Sequence, residues 1–432
     1  MEEGEYQMCD VNSKKLDTPE EEVMSEKEIN RPISGIRVIA LEQYMSAPYC
    51  TMLLADAGAE VIKIERPGTG DPRRSIPPFV EKDGKKKAGG FMAYNRNKKS
   101  LALNIREEAG KQIYLDLVKT ADVVVENLRP GSTDKMGLGY KDLKEINSRL
   151  IYAAISGFGR MEGYEGPFSN RPAFDIVAEA MSGIMHQVGF EDKPPSWTIY
   201  GMADVYTGLC TSFAIMQALF MRERTGEGQF VDSAMLDNMI SLNERMVMLY
   251  SITGEEPHRG RLKHLYPRGA FKCRDGYLAL NVPDDLIWAR LCRVIEREDL
   301  IEDERSRNGT ARASNADFLC PIIESWLKAR TREEAEKTMN SSGIPVGPVY
   351  TAKDIFASAQ VKARKMLLEI EDPDIGKNTF SRGPVVLSSS PEPPRSPAPK
   401  LGQNSREILK KILEKTDEEI SQLANAGIIQ LD

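Results

Sequence analysis

A single carboxylate, Asp204, stands in the stretch TIYGMADVYT among small and apolar residues, just ahead of the apolar run GLCTSFAIMQALF. Three roles fit such an acid: a helix cap, a surface residue or a nucleophile. Asp is favoured at helix N-caps and Val205 can open a helix, so capping competes directly with chemistry. The two roles can also coexist, because a helix N-terminus stabilises and positions a carboxylate. A second set of candidates is cationic. Arg66 follows EVIKIE, Arg106 follows LALNI, Arg129 follows VVVEN, and Lys135 comes within a turn of the last. Each alone reads as a solvated charge. Four at the ends of apolar runs fit a ligand bearing several phosphates.

The elements that must position these residues follow from the pattern. From Gly35 the chain alternates apolar runs (GIRVIALE, EVIKIERP, KKSLALNI, DVVVENL, LIYAAISGFG) with helical stretches such as APYCTMLLADAGA and REEAGKQIYLDLVKTA. That alternation predicts an α/β fold with a mostly parallel, Rossmann-like sheet covered on both faces, whose ligands lie at the carboxyl ends of the strands. Long helices are predicted over 205–224 and 233–251, and the Met, Leu and Ile stripe of the second reads as core packing. AFKCRDGYLALNV predicts a hairpin turning at Asp275-Gly276, and charged helices follow across 284–340. The expected division is a disordered acidic leader over 1–32, a large Rossmann-like ligand-binding domain with long helices over 33–254, a smaller α+β domain over 255–350 and a return segment over 351–432. Within that last segment SSSPEPPRSPAPK reads as extended, with C-terminal helices packing back on the large domain. The leader is too polar to offset the entropy of ordering.

Composition narrows the function. The 432 residues are 41% hydrophobic and 28% charged, ordinary for a soluble globular chain. Apolar runs break well short of the roughly 20 residues a membrane span needs, and the N-terminus lacks the apolar core of a secretory signal. Six scattered cysteines without a CxxC pair fit reduced thiols, so a cytoplasmic location is expected. A net charge of −7 argues against nucleic acid as partner, and the three histidines lack metal-ligand spacing, so no metal is expected. GxxxxGK[ST] and GxSxG are absent, and LEQYMSAPYC, after the first strand, holds none of the glycines of a dinucleotide fingerprint. ATP-driven activation, serine hydrolysis and nicotinamide chemistry are all disfavoured.

GAEVIKIERPGTGDPRR, YNRNKKSLALNI, VVVENLRPGSTDKMGLGY, IYAAISGFG, ADVYTG and RTGEGQFVDSAML, in this order, resemble the class III coenzyme A transferases. That family includes formyl-, carnitine- and succinyl-dependent members and is related to the α-methylacyl-CoA racemases. GIPVGPVY and APKLGQNSREIL extend the likeness, which runs from about 34 to 425. The resemblance implies two chains interlaced like linked rings in a homodimer, acyl-CoA and a small organic acid as substrates, and no permanently bound cofactor. It places the catalytic aspartate at Asp204. It places CoA contacts at Met45, Ser46, Arg66, Leu103, Asn104, Ile105, Arg106, Asn127, Leu128, Arg129 and Lys135. Relatives often carry Gln-Ala where this chain has Met45-Ser46, and some carry Arg where Lys135 stands.

The racemase branch needs a second proton carrier across the substrate's α-carbon, and supplies it as a histidine 30 residues before the aspartate. Here that position, in PAFDIVAEAM, is Phe174, which carries no proton; Asp175 follows it. Transfer needs only the carboxylate of Asp204, acting as a covalent nucleophile, with oxyanion donors expected among the amides that open the 205–224 helix. Phe174 and Asp175 are expected to line the substrate pocket. The basic loop EEPHRGRLKHLYPRGAF stands where some relatives have a glycine-rich loop, and one or two of its Arg259, Arg261, Lys263, His264 and Arg268, with Arg261 placed in the pocket, are candidates for holding a substrate's free carboxylate. A non-catalytic CoA-binding partner subunit is the alternative from another class.

Overall fold

The structure, a computed structural model, describes residues 31–260, 262 and 264–432. The leader, apart from Arg31 and Pro32, lies outside the described residues, as do Arg261 and Lys263. Among the described residues the main sheet runs Ile429–Gln430, Lys99–Leu103, Glu60–Glu65, Arg37–Leu41, Val123–Glu126, Ile151–Ser156 and Phe230–Ala234. All neighbours pair in parallel except the short C-terminal edge strand, which runs antiparallel to Lys99–Leu103. Counted in chain order, the six parallel strands lie 3-2-1-4-5-6. The winding therefore reverses between Arg37–Leu41 and Val123–Glu126, the point where such sheets bind ligands.

Apolar residues on both strand faces explain the two layers. Ile39, Ile62, Leu101 and Val124 face a core closed by the helix Glu108–Lys119 and by Ile408, Leu409 and Ile420 of the returning C-terminal helices. On the other face Val38, Val61, Val123 and Ile151 meet the helices Ser46–Asp56 and Met202–Thr225 through Leu54, Ile215 and Leu219. A separate cluster lies between Tyr266 and Ile344, where Trp288, Leu291, Ile323 and Met339 fill the space behind a three-stranded sheet. Its hairpin turns at Arg274-Asp275, one residue earlier than expected, because Cys273 pairs with Gly276. No helix among the described residues is long and apolar enough to cross a membrane.

Several expectations need correcting. The predicted 233–251 helix begins instead with the strand Phe230–Ala234, which completes the parallel sheet, and continues as two helices, Met235–Leu242 and Glu244–Thr253. The break falls at Asn243, whose side chain is held by Gln187 at 2.6 Å and by the Ser182 carbonyl at 3.0 Å. Its Met stripe is core only at the start: Met235 and Met239 are buried, whereas Val247, Met248, Tyr250 and Ile252 are exposed. Two polar hairpins escaped the apolar pattern. Phe79–Lys82 pairs with Lys85–Ala88 across Asp83-Gly84, both at positive φ, and Leu367–Asp372 pairs with Gly376–Ser381. Lys87 bridges them, meeting Asp372 at 2.7 Å and Asp374 at 3.0 Å.

Candidate functional site

At the winding reversal, strand Arg37–Leu41 delivers residues 42–46 and strand Val123–Glu126 delivers 127–131. Asn127 joins the two loops. Its Oδ1 accepts from the Gln43 amide at 2.9 Å, and its Nδ2 donates to the Gln43 carbonyl at 2.7 Å and the Ser46 hydroxyl at 3.3 Å. Tyr44 sits at φ 63°, held by the hydrogen bond its backbone N–H donates to the Asp71 carboxylate at 3.1 Å. The helix Ser46–Asp56 then starts with no side chain capping its first amides.

Two cavities flank this junction and share Gln43, Leu128 and Arg129. One, of about 790 Å³, is lined by Arg66, Leu103, Asn104, Ile105, Arg106 and Lys135. The other, of about 730 Å³, is lined by Met45, Ser46, Asn127, Phe174, Asp175 and Asp204. Residues spread over 160 positions of chain are thus gathered into one continuous region. None of the described residues of the basic loop at 255–268 lines either cavity. Arg261 lies outside the described residues.

Asp204 is not a helix cap. Its helix opens three residues earlier than expected, with Gly201 at the cap position in the left-handed region, φ 83°. The cap is borrowed from the helix Asp175–Met181. The Asp175 carboxylate accepts from the amides of Gly201 at 3.2 Å, Ala203 at 2.6 Å and Asp204 at 3.2 Å. The Met202 and Val205 amides go to carbonyls of Ile199 and Gly201. The amides expected to stabilise an oxyanion are therefore already occupied, while the Asp204 side chain is left free to face the cavity. Burial pushes its carboxyl up to about 7, and the neighbouring Asp175 charge adds to the shift. A hydrogen bond from the Ser46 hydroxyl and the Arg73 charge work in the opposite direction. Phe174 is 66% exposed and meets Tyr44 edge-on, with ring centroids 6.2 Å apart. No histidine lines the Asp204 cavity.

Beneath both cavities lies a buried charge network. Lys63 meets Asp71 at 2.9 Å and Glu42 at 3.4 Å, and Lys98 meets Glu42 at 2.7 Å, all with fully buried side chains. Burial pushes Lys98 down to about 8, against the pull of Glu42. Burial would raise the Glu65 carboxyl, but the Arg74 fork, Lys63 and Ser100 hold it at about 2. Asp71 links this network to the surface loops, accepting from the amides of both Tyr44 and Arg73. Sequence reasoning missed Gln43, Arg73 and Tyr200, which also line the Asp204 cavity. No pattern separates Arg73 from Arg74; only folding shows that Arg74 is spent on Glu65, at 2.8 Å through two nitrogens.

The chain is similar to known proteins over most of its length. A family model described as CoA-transferase family III matches residues 33–405. A succinyl-CoA:glutarate CoA-transferase of Mus musculus is 37% identical over 403 residues, spanning 93% of this chain and 91% of that protein. A succinyl-CoA:mesaconate CoA-transferase of Haloarcula marismortui is 38% identical over 381 residues, 87% of this chain and 95% of that one. The crystal structure of a CAIB/BAIF family protein from Brucella suis superposes with a TM-score of 0.80 at 34% identity, covering 89% of this chain and all of the other.

Proposed function

Because the chain belongs to CoA-transferase family III, we propose that it moves CoA from an acyl-CoA of the succinyl type to a free carboxylic acid, with Asp204 as nucleophile. The observation that carries this reading is the Asp204 carboxylate, released from capping by Asp175 and facing the cavity that joins the cation-lined one. The carrier's phosphates go to Arg66, Arg106, Arg129 and Lys135, and its sulfur reaches past Gln43 and Leu128 toward Asp204.

An Asp204 oxygen attacks the thioester carbonyl carbon and the C–S bond breaks, giving an acyl-aspartyl anhydride and a CoA thiolate. The thiolate attacks the aspartyl carbonyl carbon, releases the donor's acid as carboxylate and leaves an aspartyl-CoA thioester. The incoming carboxylate then attacks that thioester, expelling the thiolate, which takes the new acyl group and restores Asp204. Covalent splitting replaces one difficult exchange with easier steps. Exchange of one thioester for another requires no ATP. The open amides at the start of the helix Ser46–Asp56 serve the tetrahedral oxyanions, since those of the Asp204 helix are taken.

Racemisation lacks support, because Phe174 carries no proton and Asp175 is engaged by three amides. Incubation with succinyl-CoA and hydroxylamine, followed by intact mass measurement, tests the mechanism. A modified aspartate at 204 supports it. An unmodified chain with active exchange overturns it, and an unmodified chain without exchange points to a non-catalytic CoA-binding subunit. The homodimer belongs to the same proposal: Phe213, Phe220 and Met221 are more than half exposed along one helix, an apolar row that a second copy would cover.

A further inference from the structure

Arg73 is the group in the Asp204 cavity that the proposed cycle leaves without a task. It is only 6% exposed, yet no carboxylate pairs with its guanidinium among the described residues, and its Nε has no hydrogen-bond partner. Among the described residues its one side-chain hydrogen bond runs from Nη1 to the Tyr200 hydroxyl at 3.0 Å, with the guanidinium carbon 5.5 Å from that ring's centroid. The neighbouring Arg74 is saturated by Glu65 and the Pro399 carbonyl.

The guanidinium is also fixed in place. Behind it stands Asp71, which binds the Arg73 amide at 2.9 Å and is itself clamped by buried Lys63. Beside it stands Gly90, where an added Cβ would fall 2.5 Å from one guanidinium nitrogen and 2.6 Å from another. Asp204 feels the Arg73 charge without pairing with it, and burying a cation without a paired counter-ion costs several kcal/mol. A guanidinium held so rigidly on the cavity wall, with no carboxylate paired to it, is prepared for an anion brought by the ligand. The other cations on this cavity serve less well. Arg171 is exposed and lies over Phe158 and Phe168, and Arg129 is exposed and shared with the cation-lined cavity.

We propose that Arg73, together with the Tyr200 hydroxyl, receives the second carboxylate of a dicarboxylic acid while the first faces Asp204. This rests on the transfer reading above and names its acid class. It moves the recognition of the free carboxylate from the basic loop to a residue of the cavity wall. Arg73 then offsets the repulsion that a dianion meets beside Asp204 and Asp175.

An internal competition tests it. Glutarate and pentanoate, equal in chain length, are supplied together with succinyl-CoA as donor, and the ratio of glutaryl-CoA to pentanoyl-CoA is read by mass spectrometry. Both products share one donor step, so the ratio reports the acceptor alone. The wild type should favour glutarate by about 100-fold, as expected for a charge-assisted fork. Arg73→Met should bring the ratio near unity, and Arg73→Lys should fall between. Gly90→Ala, which leaves Arg73 in the chain but displaces its guanidinium, should lower the ratio in the same direction, and Tyr200→Phe should lower it about threefold to tenfold. An unchanged ratio in folded Arg73→Met overturns the proposal. If that variant does not fold, an unchanged ratio in Gly90→Ala does the same. Should the wild type transfer CoA to no acid at all, the transfer reading fails by itself. Calorimetric titration of glutarate and pentanoate into the protein–CoA complex then decides the subsite: tighter glutarate binding that Arg73→Met abolishes sustains it, and equal binding of both acids overturns it.

Discussion

The two cavities that meet at Gln43, Leu128 and Arg129 handle charge in opposite ways. On one side Arg66, Arg106, Arg129 and Lys135 stand exposed around the cavity, where water and salt screen their charges. On the other, Asp204 is largely withdrawn from water and its carboxyl is pushed up to about 7. Binding a carrier tolerates solvated, replaceable charges. Covalent chemistry needs one group in a tuned environment, because desolvation strengthens every interaction made there.

The sharpest way to break this contrast is Asp204→Asn. Transfer should fall by at least about a thousandfold, while the CoA dissociation constant measured by calorimetry stays within about threefold; a matching loss of CoA affinity would erase the distinction between the cavities. Next comes the network beneath both. Lys63→Met leaves Glu42 and Asp71 buried without that partner and should cost about 3–5 kcal/mol in urea unfolding at pH 7; a loss under about 1 kcal/mol would mean the floor is not held electrostatically. The tuned acid should itself weigh on stability. Its folded pKa of about 7 lies above the ordinary 3.8, so the folded state binds the proton more tightly. Wild-type stability from this group is then fully present below about pH 4 and lost as pH rises through 7. Asp204→Asn should be more stable than wild type by roughly 2–4 kcal/mol at pH 8, a gain that disappears at pH 4.

Smaller effects sharpen the carrier side. Arg106→Ala should raise the KM for acyl-CoA about tenfold, with the deficit shrinking at high salt, since the lost contact is exposed. Smallest is Asp175→Asn. In the wild type kcat/KM should rise with pH through about 7 as Asp204 ionises. Removing the Asp175 charge should move that limb toward lower pH, and an unmoved limb would assign the whole shift to burial.

Legibility in the sequence followed the same divide. The parallel strands were readable because both faces are buried and at least half of each run is Val, Ile, Leu or Ala, and the exposed cations were readable because they come soon after those runs. The strand Phe230–Ala234 was missed because QFVDSAML carries polar residues and runs straight into a helix. The hairpin at Asp83-Gly84 left a turn signal, but the lysines around it read as a solvated loop until Asp372 and Asp374 arrive from nearly 300 positions away. Asp204 stands out in the sequence as a lone acid among apolar residues, whereas its surroundings do not. That Asp175 rather than Asp204 caps the helix, and that Arg73 rather than Arg74 lacks a partner, depends on contacts between distant segments.

The borrowed cap has one more consequence. Two carboxylates are anchored at a single helix end, one bonded to its amides and the other beside it, so each negative charge raises the energy of its neighbour. In the proposed cycle both the anhydride and the aspartyl-CoA thioester neutralise Asp204. Mutual repulsion is therefore relieved whenever the side chain is acylated and returns whenever it is set free. Within that proposed cycle the resting protein is the tensed form, and the helix terminus acts as a spring that favours the loaded state over the empty one.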